Sequence, residues 1–167
     1  MPICTKCKKE MDLSQLEKVD NMYICHSCLY QNCRPFKIFP IGFVENQSER
    51  GVRFGVKGNT AQISKIHLFK SQQPFLYKLQ DEKWITVVYY FHKQHKIQSI
   101  FARGIDGKKV GIFASRTPDR LSRIGITNVE LIKIENTTLF VKNLDAINGT
   151  PVLDLKLGGK SRGYLTN

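Results

Sequence analysis

Beyond Lys37 the apolar positions come in short blocks, often alternating with polar ones and rich in Val, Ile, Phe and Tyr. This is strand patterning, since alternate residues of a strand face opposite sides. It predicts strands at 38–44, 61–68, 84–91, 97–103, 110–114, 126–134, 138–144 and 152–157. Turn-forming residues separate them, as in Gly104-Ile105-Asp106-Gly107 and Asn148-Gly149. The pattern makes only 74–80 a short helix in this region. A series of short strands with turn signals implies a mainly β protein, a barrel or a sandwich, and not a βαβ fold.

Before Pro35 the pattern changes. All five cysteines lie there, around a polar, helix-compatible stretch at 12–18. Cys4, Cys7, Cys25 and Cys28 form two C-x2-C pairs, and each pair is a tight turn that aims two thiolates at one point. Thirty-odd residues cannot sustain a core without a cross-link. The expectation is a zinc-ribbon-like module at 1–34 with one structural zinc on those four thiolates, followed by a second domain at 36–167. A closed four-cysteine site has no open position, so the metal does no chemistry. His26 is read as a bystander and Cys33 as an idle thiol.

Charge changes the picture further. The 167 residues carry 26 Lys/Arg against 14 Asp/Glu, a formal net of +12. Residues 1–35 hold five basic side chains against four acidic ones, which leaves +11 from Phe36 onward. Such an excess points to a polyanion, most often nucleic acid, although a solvated surface is the bland alternative. The longest apolar run, 84–91, is interrupted by Thr86 and is far below the ~20 residues that span a bilayer. The N-terminus lacks a basic-then-apolar leader, and reduced thiols suit metal binding, so a cytoplasmic address is expected.

The candidate chemistry lies in the second half. Gly111-Ile112-Phe113-Ala114-Ser115-Arg116-Thr117-Pro118-Asp119-Arg120 leads through Leu121-Ser122-Arg123 into Ile124-Gly125-Ile126-Thr127. Arginine forks on such a loop clamp carboxylates or phosphates, while the bland alternative is a solvated turn. Further on, Asp145 and Asp154 bracket Asn148-Gly149-Thr150-Pro151, and upstream an apolar strand ends in Phe91-His92-Lys93. Taken in order, these three segments resemble the TsaA-like family of S-adenosylmethionine-dependent tRNA methyltransferases, over roughly 38–157. Ile41-Gly42 also matches the family's opening. The chain departs from the family pattern at Leu121-Ser122-Arg123, at Asn148 and at Lys156-Leu157-Gly158; Arg53 and Phe54 are the nearest candidates for a missing first-loop segment.

The resemblance implies a β-barrel domain, often dimeric, that binds S-adenosylmethionine. Carried over by position, the cofactor-contacting residues would be His92, Lys93, Arg116, Ile126, Asp145, Asn148, Gly149, Thr150 and Pro151. Asp145, Asp154 and His92 are the candidates for a catalytic group. Lys108, Lys109, Arg120 and Arg123 would hold RNA phosphates. The implied reaction is N6-methylation of threonylcarbamoyl-adenosine next to the tRNA anticodon. A non-catalytic RNA-binding protein of the same fold, or a methyltransferase with another substrate, stays open beside it. The zinc module is expected to be an accessory, whose removal weakens RNA binding more than cofactor binding.

Overall fold

The computed structural model describes residues 1–31, 33–47, 63–93 and 96–159. Among these the strands are β1 (Leu16–Val19), β2 (Met22–Cys25), β3 (Gly42–Glu45), β4 (Ile63–Leu68), β5 (Trp84–Tyr90), β6 (Ile100–Ala102), β7 (Lys109–Gly111), β8 (Ile124–Glu135), β9 (Thr138–Lys142) and β10 (Pro151–Leu157). One short α-helix, α1 (His26–Tyr30), follows β2. The chain forms two compact units, Met1–Lys37 with Lys93–Arg123, and Ile38–His92 with Ile124–Asn167. The segment 93–123 thus groups with the cysteine module, where a single boundary near Pro35 was expected.

In the second unit β10, β3, β4, β9, β8 and β5 close into a barrel, in that order, and every adjacent pair is antiparallel. Strict alternation builds it. Along β5, Ile85, Val87 and Tyr89 are buried while the residues between them are half-exposed. Ile66, Val129, Leu139, Val141 and Val152 fill the same interior. Each fully buried aliphatic side chain contributes about 1.5–3 kcal/mol, so these residues are the main apolar support of the barrel. Register shifts between Val152 and Asp154, and between Leu131 and Lys133, add the local bending that closure needs. Gly125 is required by packing: a Cβ there would sit 2.5 Å from Tyr89 Cζ and 2.9 Å from Phe91 Cζ.

Two expected barrel elements differ. The strand expected at 38–44 begins only at Gly42 and runs to Glu45 as β3, because Pro40 has no N–H to give a ladder. The helix expected at 74–80 is instead two 3-10 segments, Lys70–Leu76 and Leu79–Asp81, parted by Lys78 at φ 60°.

In the first unit β1 and β2 form a hairpin in which Leu16 lies opposite Cys25. Its turn residues Asp20 and Asn21 have φ of 49° and 65°, the left-handed pair that a two-residue hairpin favours. The helix-compatible stretch 12–18 is not a helix. Asp12 accepts a hydrogen bond from Ser14 N (2.9 Å), a 3-10 turn covers Leu13–Gln15, and β1 takes the rest. So short a helix is marginal alone, and pairing with β2 prevails. β6 and β7 form a second hairpin, and the expected strand 110–114 ends at Gly111, where a 3-10 turn (Ile112–Ala114) begins. Within this unit Val19 forms a parallel bridge with Ile97, and Val19, Ile24 and Ile97 make a small core that Leu29 and Leu121 cover.

Candidate functional site

The barrel unit brings the turn residues together. The loop between β9 and β10 is held by groups far away in sequence. Tyr89 Oη donates to the Asp145 carbonyl (2.6 Å) and lies 3.1 Å from Thr127 Oγ1. Asn46 Nδ2 donates to the Ala146 carbonyl (2.9 Å) and to Ser64 Oγ (3.1 Å), and Asn46 N donates to Asn148 Oδ1 (3.1 Å). Gly149 N donates to the Val44 carbonyl (2.8 Å), and Thr150, buried, returns a carbonyl to Val44 N (2.9 Å). Leu144 and Ala146 are buried in the barrel core. The loop is therefore a preformed, rigid shelf.

Gly149 lies at φ 79°, a conformation that side chains rarely adopt. A Cβ added there would come 3.9 Å from His92 Nε2, so the imidazole stands beside the bare face of the turn. Burial pushes the Asp145 carboxyl upward from its ordinary range. His92, Asp145, Asn148, Gly149, Thr150 and Pro151 thus form one cluster. Ile126 is exposed on the outside of β8, opposite Val88. Asp154 pairs with the same Val88 from β10, but its carboxylate accepts from Leu155 N (2.8 Å) and pairs with Lys156 (2.7 Å). It serves the bulge.

Lys93 and Arg116 belong to the other compact unit, with Lys108, Lys109, Arg120 and Arg123. Lys108 and Lys109 are exposed. Arg120 turns inward on its own loop, donating through Nε to the Thr117 carbonyl (2.9 Å) and through Nη2 to that of Ser115. Those bonds wrap the backbone on either side of Arg116. Arg123 Nη2 lies 3.6 Å from Glu17 Oε2. The structure gives these two arginines protein partners, so within this unit the exposed cations of the RNA set are the two lysines. Arg53 and Phe54 lie outside the described residues.

The four cysteines converge as their spacing requires. Their sulfurs all lie within 4.8 Å of one another, with Cys7 and Cys25 Sγ 3.8 Å apart. Tetrahedral zinc with bonds of about 2.3 Å needs sulfurs about 3.8 Å apart, so the residues fit that ion. Cys4 and Cys25 are buried and Cys28 is exposed. Hydrogen bonds from the backbone around Cys7 and Cys25 draw the Cys4 thiol down to about 6, whereas the hydrogen bond to Cys25 and the crowding of the other sulfurs hold Cys28 up at about 12. His26 stays outside the sulfur set, its ring tilted against Tyr30, and Cys33 is exposed.

Tyr89, Asn46 and Thr127, which shape the shelf, carry no local signal in the sequence. An asparagine after a strand and a tyrosine within one are ordinary until the loop closes on them.

The closed six-stranded barrel is the fold seen in solved structures of TrmO. That from Pseudomonas aeruginosa is 22% identical over 80% of this chain and 60% of its own, with a TM-score of 0.58, and another TrmO structure gives 0.59 at 23% identity. The tRNA-methyltransferase O N-terminal domain family matches residues 45–157, and the chain belongs to that family. An S-adenosyl-L-methionine-binding protein of Archaeoglobus fulgidus is 30% identical over 123 residues, 70% of this chain and 85% of its own length. A mouse tRNA (adenine(37)-N6)-methyltransferase is also 30% identical, over 54% of this chain. The chain spans only 22% of that enzyme and 62% or less of these TrmO structures. No described helix is long and apolar enough to cross a membrane.

Proposed function

We propose that the chain is an S-adenosylmethionine-dependent methyltransferase that acts on tRNA, on the N6 nitrogen of threonylcarbamoyl-adenosine beside the anticodon. The observation that carries this reading is the shelf at 145–150, pinned by Tyr89 and Asn46 with His92 at its open face. Bound there, S-adenosylmethionine would supply a methyl group activated by its sulfonium. Asp145, Asn148, Ile126 and the backbone of Gly149 and Thr150 hold the donor, and the family resemblance adds Lys93 and Arg116 to the donor-contacting set. In-line transfer needs placement and a proton acceptor, because the attacking nitrogen gives up its proton as the carbon–sulfur bond breaks towards sulfur. His92 and Asp145 are the acceptors in reach of the shelf; Asp154 is not needed. Lys108 and Lys109 bind RNA phosphates, and Arg120 and Arg123 shape the loop that presents Arg116.

The cysteine set binds one structural zinc, as its sulfur spacing supports. A cytoplasmic homodimer acting on the anticodon arm is part of the same reading.

The test is mass spectrometry of tRNA nucleosides after incubation with protein and labelled S-adenosylmethionine. Label on the N6 nitrogen of threonylcarbamoyl-adenosine is the expected result. Label on another nucleoside replaces the substrate. Salt-dependent RNA binding without transfer, and without stabilisation by the cofactor, refutes catalysis and leaves an RNA-binding protein of the same fold.

A further inference from the structure

The described residues of the segment 93–123 have almost no core of their own. Among them only Ile97 and Ile112 are buried. Ile97 packs on Val19 and Ile24 of the β1–β2 hairpin. Hydrogen bonds and an ion pair also run to the same hairpin. Asp20 N donates to the Ile97 carbonyl (3.0 Å), and the Asp20 carboxylate accepts both from Ser99 N (2.8 Å) and from Ser99 Oγ. Ser99 in turn receives Ile112 N on its carbonyl (3.0 Å), at the foot of the β6–β7 hairpin. Glu17 pairs with Arg123 at the segment's far end.

The β1–β2 hairpin has little to hold it except the cysteine cluster. Its other core is Cys4, Leu16 and Cys25, with Met11 and Tyr23 against it. An isolated two-stranded hairpin is marginal in water, and small metal-ligating modules fold only when loaded. Cys25 is both a candidate ligand and the last residue of β2, paired with Leu16. From that pair, β1 runs three residues to Val19, which bridges Ile97.

We infer that metal on Cys4, Cys7, Cys25 and Cys28 orders the segment 93–123 through the β1–β2 hairpin, with Asp20 as the positioning residue. The cysteine module is then the scaffold of the loop that carries Arg116. It also gathers charge. This segment has eight Lys/Arg against two acids, a net of +6, half of the whole chain's excess. Consequences for donor and RNA binding rest on the function proposed above; the ordering itself does not.

The test follows hydrogen exchange of the full chain by peptide, with zinc content measured in parallel. Removing zinc with EDTA under reducing conditions should strip protection from 97–112 while barrel peptides spanning β5, β8 and β9 stay protected. Asp20→Asn keeps the turn-compatible side-chain shape but loses the charged acceptor for Ser99. It should keep one zinc per chain and raise exchange in 97–112 by about tenfold, the effect of losing one charge-assisted bond. Unchanged exchange after proven zinc loss, or in Asp20→Asn, overturns the inference. Loss of protection in the barrel as well overturns the confinement to this segment. If Asp20→Asn loosens the segment yet leaves S-adenosylmethionine binding intact, the ordering stands and the proposed role of Arg116 fails.

Discussion

Gly125→Ala should destabilise the barrel and disturb the shelf at a distance. Gly125 pairs with Tyr89 across β5 and β8, and its missing side chain is filled by the Tyr89 and Phe91 rings, which meet edge to face at 5.5 Å. A methyl group 2.5 Å from Tyr89 Cζ must push that ring by about 1 Å to reach ordinary contact. Overpacking of this kind costs about 1–3 kcal/mol. The displaced ring also strains the Tyr89 hydroxyl contacts with the Asp145 carbonyl and Thr127, worth about 0.5–1.5 kcal/mol each. Reduced freedom of the unfolded chain returns about 0.4–1 kcal/mol. The net is about 1–5 kcal/mol, or roughly 2–20 °C in melting temperature for a protein of this size. Trp84, the sole tryptophan, lies on β5 and reports barrel unfolding by fluorescence in urea. A double-mutant cycle with Tyr89→Leu tests the cause. If the ring is the obstacle, the combined cost falls below the sum of the single costs by more than ~0.5 kcal/mol. A Gly125→Ala loss within ~0.5 kcal/mol of zero, or strict additivity with Tyr89→Leu, refutes the packing argument.

Tyr89→Phe removes only the hydroxyl, so it should cost about 1–2 kcal/mol of barrel stability in the same urea assay and weaken stabilisation by S-adenosylmethionine; unaltered stability would show that the Asp145 carbonyl needs no such support. Arg116→Ala should abolish the thermal shift with S-adenosylmethionine while zinc content stays at one per chain, and a normal shift would remove Arg116 from the site. Burial raises the Asp145 carboxyl in the folded state, so its favourable contribution is complete below the unfolded value near 3.8 and is lost as pH rises through the folded one. Asp145→Asn should therefore gain stability relative to the parent as pH climbs from about 4 towards 8, followed by Trp84 fluorescence; a pH-independent difference contradicts the burial assigned to Asp145.

What the amino-acid sequence revealed was what short-range physics decides. The alternation in Trp84–Tyr90 marked β5 because each residue's face follows from its neighbours. The C-x2-C pairs marked a four-cysteine cluster because each four-residue turn sets where its two sulfurs point. Elsewhere local composition lost to partners. Residues 12–18 suit a helix, but Leu16 and Val19 take up pairing with Cys25 and Met22. The block at 38–44 is apolar enough for a strand, but Pro40 delays it to Gly42. Asn46 lies 102 residues from Asn148, and Tyr89 56 residues from Asp145, so the shelf's supports had no local trace.

The division of labour changes most. Read linearly, the positive charge lies almost wholly beyond the cysteine module, which makes that module an accessory. In the fold, 93–123 shares a compact unit with it, and Asp20 is tied to Ser99 across 79 residues. Fourteen Lys/Arg and six acids fall in that unit, +8 of the chain's +12; a four-thiolate zinc site would lower this to about +6. Among the described residues the cation-rich segment has only the small core that Ile97 shares with Val19 and Ile24, whereas the barrel has a core of its own. Removing residues 1–34 therefore withdraws Val19, Ile24 and Asp20 from beneath Ile97 and Ser99, and exposes Arg116 to the same loss of order. The expectation that such a truncation weakens RNA binding more than cofactor binding gives way to one in which donor and RNA binding fall together while Trp84 still reports a folded barrel.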